Sequence, residues 1–139
     1  MAISSYKIVT FGCQMNIADS GTLAAILNSA GYLTASSESE ADIIILNTCS
    51  VREKAEERVF GRLGELSSLK QAKPDRKIIV VGCMAQRLGG KIIERAPYVD
   101  FVLGTDRMFD LPKYLHNGYG IAPIHTEFGH ENIGQQLPA

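Results

Sequence analysis

The 139-residue sequence has little of what marks exported, membrane or nucleic-acid-binding proteins. No apolar run is long enough to span a bilayer, which excludes a transmembrane helix. The N-terminus holds no charged stretch followed by an apolar one, so we expect no secretory signal and a cytoplasmic location. A formal net charge of −1 gives no electrostatic indication of nucleic-acid binding by itself. A composition that is 45% hydrophobic and 21% charged is typical of a globular domain.

Cysteine is also scarce. The three cysteines, Cys13, Cys49 and Cys83, are odd in number and evenly spread, and no CxxC pair occurs. This pattern argues against a disulfide framework and against a CxxC redox motif. Structural zinc usually takes four ligands in close CxxC-type pairs, so the pattern disfavours zinc as well.

The sequence does contain a series of apolar runs of strand length that are rich in β-branched residues. The predicted strands are Tyr6–Phe11, Ile43–Leu46, Lys77–Val81 and Val99–Leu103, with a weaker candidate at Tyr32–Ser36. The runs that begin at Ile43 and Ile78 are unbroken rather than alternating. Such runs are typical of strands that are buried on both faces of a parallel sheet.

Helical patterns lie between these runs. They predict a helix after Asn16 that ends at Gly31, an amphipathic helix that begins after Cys49 and ends before Pro74, a helix within Met84–Arg95 and a last helix ending at His116. Gly89 and Gly90 weaken the third of these.

This alternation predicts an α/β fold: a single doubly wound domain with a mainly parallel sheet of about five strands, flavodoxin-like or Rossmann-like. We expect residues 1–117 to form the domain. Residues 118–139 read as a linker and tail, or as an edge strand followed by a tail, because glycines and a proline punctuate a polar stretch without periodicity.

All three cysteines stand directly after a predicted strand and before a predicted helix. In an open α/β sheet the carboxyl ends of the parallel strands lie on one edge, where ligands bind, so we expect the three thiols to converge. Gly12 and Gly82 would let the backbone turn sharply and approach a bulky ligand. Three thiolates suit a soft metal site or an iron–sulfur cluster with one open iron.

A second interpretation treats the cysteines as small buried residues. The chain would then be a flavodoxin-like module that binds a small molecule or takes part in redox chemistry. No GxGxxG or Walker-type loop follows any predicted strand, which weakens this alternative.

The residues around the cysteines resemble a known family. The motifs are Gly12-Cys13-Gln14-Met15-Asn16 with Asp19-Ser20, Asn47-Thr48-Cys49-Ser50-Val51-Arg52, Gly82-Cys83-Met84-Ala85-Gln86-Arg87, and Asp100-Phe101-Val102-Leu103-Gly104-Thr105. In this order they resemble the N-terminal domain of the radical SAM methylthiotransferases. The Gln-Met-Asn after the first cysteine resembles the tRNA-modifying branch, which implies an isopentenylated adenosine beside the anticodon as substrate.

The resemblance implies that Cys13, Cys49 and Cys83 bind an auxiliary [4Fe–4S] cluster. It also implies a radical SAM domain in cis, with a second [4Fe–4S] cluster and S-adenosylmethionine, and tRNA as the partner of the whole enzyme. The CxxxCxxC motif of that domain is absent, since no cysteine follows Cys83. We therefore expect a truncated or processed fragment that has no complete active site and, in isolation, is monomeric or prone to disulfide formation.

Five polar residues near the cysteines are predicted to bind the cofactor by donating hydrogen bonds to cluster sulfides: Gln14, Asn16, Asn47, Thr48 and Gln86. Helix capping or a turn is the alternative role for the asparagines.

Other residues in these motifs are given simpler roles. Arg52 and Arg87 are predicted to contact substrate phosphate or the partner domain, or else to lie on a solvated helix face. Met15 and Met84 are interpreted as packing residues rather than ligands. Three histidines are interpreted as surface residues rather than as a fourth ligand: His116, His125 and His130.

Overall fold

The computed structural model describes residues 4–12, 14–49, 53–117 and 124–126. The strands are β1 (Ser5–Thr10), β2 (Leu33–Thr34), β3 (Ile43–Thr48), β4 (Lys77–Gly82), β5 (Phe101–Leu103) and β6 (Ile124–His125). The helices are α1 (Gln14–Ser29), α2 (Glu53–Ala72), α3 (Cys83–Leu88), α4 (Gly90–Arg95) and α5 (Leu111–Asn117). Short 3₁₀ turns occupy Glu38–Glu40 and Met108–Asp110.

The strands form one sheet in the order β2-β1-β3-β4-β5-β6, and every neighbouring pair is parallel. From β1 the chain moves outward to β2 and then returns to add β3 on the other side of β1. The strand order therefore reverses between β1 and β3, which is the topological switch point of a doubly wound sheet.

Helices cover both faces of the sheet, as the unbroken apolar runs predict. All six residues of β3 are buried. One face packs against α2, α3 and α4 through buried side chains such as Leu63, Met84 and Ile92. The other face packs against α1 and α5 through Leu27 and Leu111. Because strand side chains alternate between faces, neighbouring residues of β3 and β4 serve opposite cores.

The predicted α/β doubly wound fold is confirmed, with two differences in detail. The sheet has six strands rather than about five, because Ile124–His125 pairs with β5 at the edge. That pairing agrees with the edge-strand alternative for this segment, while the division into residues 1–117 and 118–139 stays a prediction. The expected helix within Met84–Arg95 is two helices, because Gly89 adopts a φ of +52° and interrupts it. Among the described helices, none is both long and apolar enough to cross a membrane.

Candidate metal or cluster site

Three neighbouring strands at the middle of the sheet end next to the three cysteines. Cys13 follows β1, Cys49 follows β3 and Cys83 follows β4, and these strands lie side by side. In the register, Thr48 pairs with Gly82, so Cys49 and Cys83 each come directly after one member of the same pair. Neighbouring strands are about 4.8 Å apart. The cysteines thus border the switch point, where open α/β sheets bind ligands.

Gly12, the residue before Cys13, lies against Cys49. It adopts a φ of +102°, a left-handed conformation that other residues rarely adopt. A Cβ at this position would stand 2.5 Å from Cys49 Cβ and 3.2 Å from Cys49 Sγ. The chain that leads into Cys13 therefore touches the side chain of the second cysteine, and only glycine allows that approach. Cys13 itself lies outside the described residues.

Gly82 makes the corresponding approach before Cys83. Its φ is +100°, and an added Cβ would lie 2.5 Å from the carbonyl oxygen of Thr48 and 2.9 Å from Asn47 Oδ1. The backbone that leads into Cys83 thus passes directly over the backbone that leads into Cys49. Both predicted glycine turns are present, and each presses the approach to an outer cysteine against β3.

A pair of buried asparagines joins the start of α1 to the end of β3. Asn16 Nδ2 donates to Asn47 Oδ1 at 3.3 Å and to the carbonyl oxygen of Thr48 at 3.0 Å. In return, Asn47 Nδ2 donates to the carbonyl oxygen of Asn16 at 2.9 Å and to Ser20 Oγ at 3.0 Å. Ser20 Oγ lies 2.7 Å from Thr10 Oγ1, which extends the network to the end of β1. Fully satisfied buried networks of this kind hold one local conformation.

The hydrogens of these side chains are used inside the protein. Each asparagine amide carries two hydrogens, and both have acceptors in the network. The single hydroxyl hydrogen of Thr48 is donated to the carbonyl oxygen of Val81 at 2.7 Å. The prediction that Asn16, Asn47 and Thr48 donate to cluster sulfides stays a prediction, and in this arrangement their contribution is to fix the strand ends.

The other two predicted cofactor-binding residues lie in different surroundings. Gln14 is exposed at the first position of α1. The amide of Gln86 bridges two backbone groups, accepting from the N–H of Thr105 at 3.1 Å and donating to the carbonyl oxygen of Thr126 at 2.6 Å. Gln86 therefore connects α3 with the loop after β5 and with the end of β6.

The two described cysteines differ in exposure. Cys49 is 8% exposed, whereas Cys83 is exposed at the start of α3, and neither forms a disulfide. A role as a small buried core residue therefore does not fit Cys83. Within the described ranges, which leave out Cys13, no three histidine, cysteine or acidic residues are grouped as metal ligands.

Met15 lies in a different environment from the one that its packing interpretation predicts. Met84 is fully buried in the core, as expected, but Met15 is 70% exposed and Ile17 is 63% exposed. The packing interpretation of Met15 is wrong, because α1 begins one residue before it and turns Asn16, rather than Met15, toward β3. Two apolar side chains in the first turn after a cysteine, on either side of a polar one, were the signal.

Of the remaining residues with predicted roles, Arg87, His116 and His125 lie within the described part of the chain. Arg87 forms an ion pair with Glu56 of α2, and Arg52 and His130 lie outside the described residues. His116 is exposed, and the ring of His125 packs against Tyr114 with 4.5 Å between ring centroids. The carboxyl-end edge of the described sheet thus combines two glycine turns, an amide network and two of the three cysteines.

Comparison with known families places this edge in context. The model of a family described as Uncharacterized protein family UPF0004 matches residues 5–104, a range that includes all three cysteines. The chain belongs to this family. The shared range covers the first five strands in chain order and ends one residue after β5.

Curated relatives extend the comparison. The chain is 54% identical over 112 residues to the tRNA-2-methylthio-N(6)-dimethylallyladenosine synthase of Dictyoglomus thermophilum, covering 81% of this chain and 26% of that protein. It is 47% identical over 137 residues to the protein of the same name from Hydrogenobaculum sp., covering 96% of this chain and 32% of that protein. The corresponding protein of Carboxydothermus hydrogenoformans is 50% identical over 117 residues, or 83% of this chain and 27% of its own length. The chain therefore spans between about a quarter and a third of the length of these relatives.

Proposed function

We propose that this chain is the part of a tRNA methylthiotransferase that holds its auxiliary [4Fe–4S] cluster, with Cys13, Cys49 and Cys83 as the three ligands. The observation that carries the proposal is the meeting of three strand ends at the switch point, with each outer cysteine preceded by a glycine pressed against β3. Chance placement of structural cysteines does not require these two close approaches.

The residues of the site fit such a group in chemistry and in space. Thiolates are the usual ligands of iron–sulfur clusters. The left-handed glycines keep side-chain bulk away from the strand ends. Three protein thiolates leave one iron of the group without a protein ligand, and the bound group would supply an exchangeable position for the sulfur or methylthio group that is transferred.

The protein side chains around the site would fix its geometry. Asn16 and Asn47 tie the first turn of α1 to the end of β3, which fixes the backbone after Cys13 and before Cys49. Thr48 ties the end of β3 to β4 just before Cys83. A ligand set that is held before metal arrives needs less ordering on binding.

The activity of the whole protein belongs to the same proposal. The relatives are named for a tRNA product, and this chain spans only part of their length. We infer that tRNA binding, a second [4Fe–4S] cluster and S-adenosylmethionine cleavage require a radical SAM domain in the rest of the protein, and that the enzyme works in the cytoplasm. The dimethylallyladenosine of the relatives' name is the substrate that we infer for it.

The test is anaerobic reconstitution with iron and sulfide, followed by iron and sulfide analysis per folded chain. The wild-type chain should take up about four irons with a broad visible absorption band. Cys13→Ala, Cys49→Ala and Cys83→Ala should each lose most of this uptake, whereas Ser68→Ala on the exposed part of α2 should retain it. In the full-length protein the same cysteine variants should stop methylthiolation while S-adenosylmethionine cleavage continues. Equal iron uptake by all variants would contradict the proposed ligands.

A further inference from the structure

The segment Ile124–Thr126 is attached to the domain through every one of its residues. As β6 it extends the parallel sheet, and the N–H of Gly104 donates to the carbonyl oxygen of His125 at 2.7 Å. The ring of His125 lies against Tyr114 of α5. Because β6 is parallel to the other strands, its carboxyl end lies at the same edge of the sheet as the cysteines.

Ile124 packs at the break between α3 and α4. A Cβ at Gly90 would lie 3.1 Å from Ile124 Cδ1, and one at Gly89 would lie 4.0 Å from its Cγ2. The glycines that interrupt the predicted helix thus leave space for a side chain of the edge strand. The break between α3 and α4 at these glycines therefore forms part of the surface against which β6 packs.

Gln86 makes the most direct link between this strand and the cysteine edge. It lies three residues after Cys83, about one turn along α3. Its amide donates to the carbonyl oxygen of Thr126 at 2.6 Å and accepts from the N–H of Thr105 at 3.1 Å. One side chain therefore holds the end of β6, the loop after β5 and the helix that begins at a predicted ligand.

Gly104 provides the space that this bridge occupies. A Cβ added at Gly104 would lie 1.9 Å from Gln86 Oε1 and 2.8 Å from Gln86 Cδ. The same Cβ would lie 3.2 Å from Thr126 Cα. Gly104 does not adopt a positive φ, so alanine is compatible with the backbone there. Alanine at this position would thus displace the Gln86 amide without altering Gln86.

We propose that Gln86 is a positioning residue that couples the edge strand β6 to the helix that begins at Cys83. The segment Ile124–Thr126 is then held against the helix that begins at the third cysteine. The consequence for a bound cluster rests on the proposed function above, whereas the mechanical coupling between β6 and α3 does not.

The coupling is tested on the 139-residue chain by amide hydrogen exchange and by alkylation of each cysteine, read by mass spectrometry. Gln86→Ala should speed exchange of the Gly104 amide by about tenfold or more, while amides of β3 and β4 stay protected. It should also raise the alkylation rate of Cys83 severalfold and leave that of Cys49 unchanged. Gly64→Ala is the control, because a Cβ there meets nothing within 4 Å.

Two further variants test the hydrogen bonds of Gln86 to Thr105 and Thr126 in different ways. Gly104→Ala should raise Cys83 alkylation as much as Gln86→Ala does, and the double variant should add little, because both remove the same bridge. Gln86→Glu keeps the acceptor for Thr105 but loses the donor to Thr126, so it should release β6 while preserving the fold. Unchanged exchange at Gly104 in Gln86→Ala, or additive effects of the two single changes, would overturn the coupling.

The cluster readout is separate. In reconstituted protein, Gln86→Ala and Gly104→Ala should shift the reduction potential in the same direction, and Gly64→Ala should not. If the wild-type chain takes up no iron, the proposed function is contradicted, and the exchange and alkylation results still decide whether Gln86 couples β6 to α3.

Discussion

The amino-end edge of the sheet, where the strands begin, and the carboxyl-end edge, where they end, are built from different side chains. At the amino-end edge, charged side chains bind backbone carbonyl groups and one another. The buried guanidinium of Arg76 donates to the carbonyl oxygens of Ala41, Leu69 and Ser39 at 2.5–2.8 Å. Lys70 Nζ lies 2.7 Å from Asp100 Oδ2, and that oxygen also accepts from the N–H of Ile78. These bonds join the loops before β3, β4 and β5 to the last turn of α2.

The carboxyl ends of β1, β3 and β4 use neutral amides, glycines and thiols instead. Asn16, Asn47 and Thr48 satisfy one another and the nearby backbone. Gly12 and Gly82 bring the three strand ends closer than any other residue would allow. Cys83 at this edge remains exposed.

This difference separates the task of holding the sheet from the task of presenting ligands. Charges at the amino-end edge contribute to stability without lying near the thiols. The neutral network at the other edge orders the backbone and adds no competing charge to an anionic ligand set. We therefore expect changes at the first edge to alter folding, and changes at the second to alter metal binding per folded chain.

The largest effect is expected at the amino-end edge. Arg76→Ala should lower the free energy of unfolding by about 3 to 4 kcal/mol, because it leaves three carbonyl groups without a charged donor. Iron uptake per folded chain should not change, since Arg76 lies at the opposite end of the strands. Urea denaturation with iron analysis of the folded fraction measures both. If iron uptake fell by a larger fraction than the amount of folded protein, the two edges would not have separate roles.

Gly82→Ala should lower both the free energy of unfolding and the iron uptake per folded chain. The positive φ and the 2.5 Å approach to the Thr48 carbonyl oxygen predict a loss of about 2 to 3 kcal/mol in unfolding free energy. The remaining folded chains should bind iron poorly, because the backbone before Cys83 must move away from β3. Gly64→Ala, in open space on α2, is the matched control and should be slightly stabilising. Normal iron uptake by folded Gly82→Ala protein would show that the close approach is not needed.

Asn47→Ala should cost about 2 kcal/mol, since it removes three hydrogen bonds that join the end of β3 to Asn16 and Ser20 of α1. Its effect on iron uptake per folded chain should exceed that of Arg76→Ala, although Arg76→Ala destabilises more. Thr22→Ala, which removes an exposed hydroxyl that donates to the carbonyl oxygen of Ala18 within α1, is the control. The opposite ranking of the two variants in iron uptake would contradict a ligand-positioning role for the amide network.

The smallest effect is a pH dependence at the amino-end edge. The hydrogen bond from Lys73 is the main cause that lowers the pKa of Asp42 below its usual range. A lowered folded-state pKa favours the charged form, so the contribution is complete at neutral pH and is lost as the pH falls below about 4. Both side chains are partly exposed, at 47% and 32%, so solvent screening limits the contribution to less than about 1 kcal/mol. Asp42→Asn should flatten this acid limb of the unfolding free energy, whereas Asp75→Asn in the exposed turn before β4 should not.

Much of this arrangement could be predicted from the sequence, because it depends on local patterns. The unbroken runs at Ile43 and Ile78 define central strands, and a cysteine after each strand defines the edge on which it lies. The left-handed turns at Gly12 and Gly82 follow from glycine before cysteine at a strand end. These features need only the period of the chain and the topology of parallel sheets.

Other features depend on how distant parts of the chain meet. The exchange of hydrogen bonds between Asn16 and Asn47 requires the register of β3 against the start of α1, which no local pattern contains. The exposure of Met15 depends on a helix that begins at Gln14. β6 has two residues in a polar stretch, so its pairing is visible only once β5 and Gln86 are in place.

Convergence of the three thiols is most directly measured with a trivalent arsenical, a soft acceptor that can take three thiolates at once. The metal-free chain is titrated with arsenite, and the alkylation of each cysteine is then followed separately by mass spectrometry. We expect about one arsenic per chain to protect Cys13, Cys49 and Cys83 together, and each single cysteine variant to weaken that protection. Protection of two cysteines with the third reacting at its original rate, or no protection at all, would contradict a shared three-cysteine site.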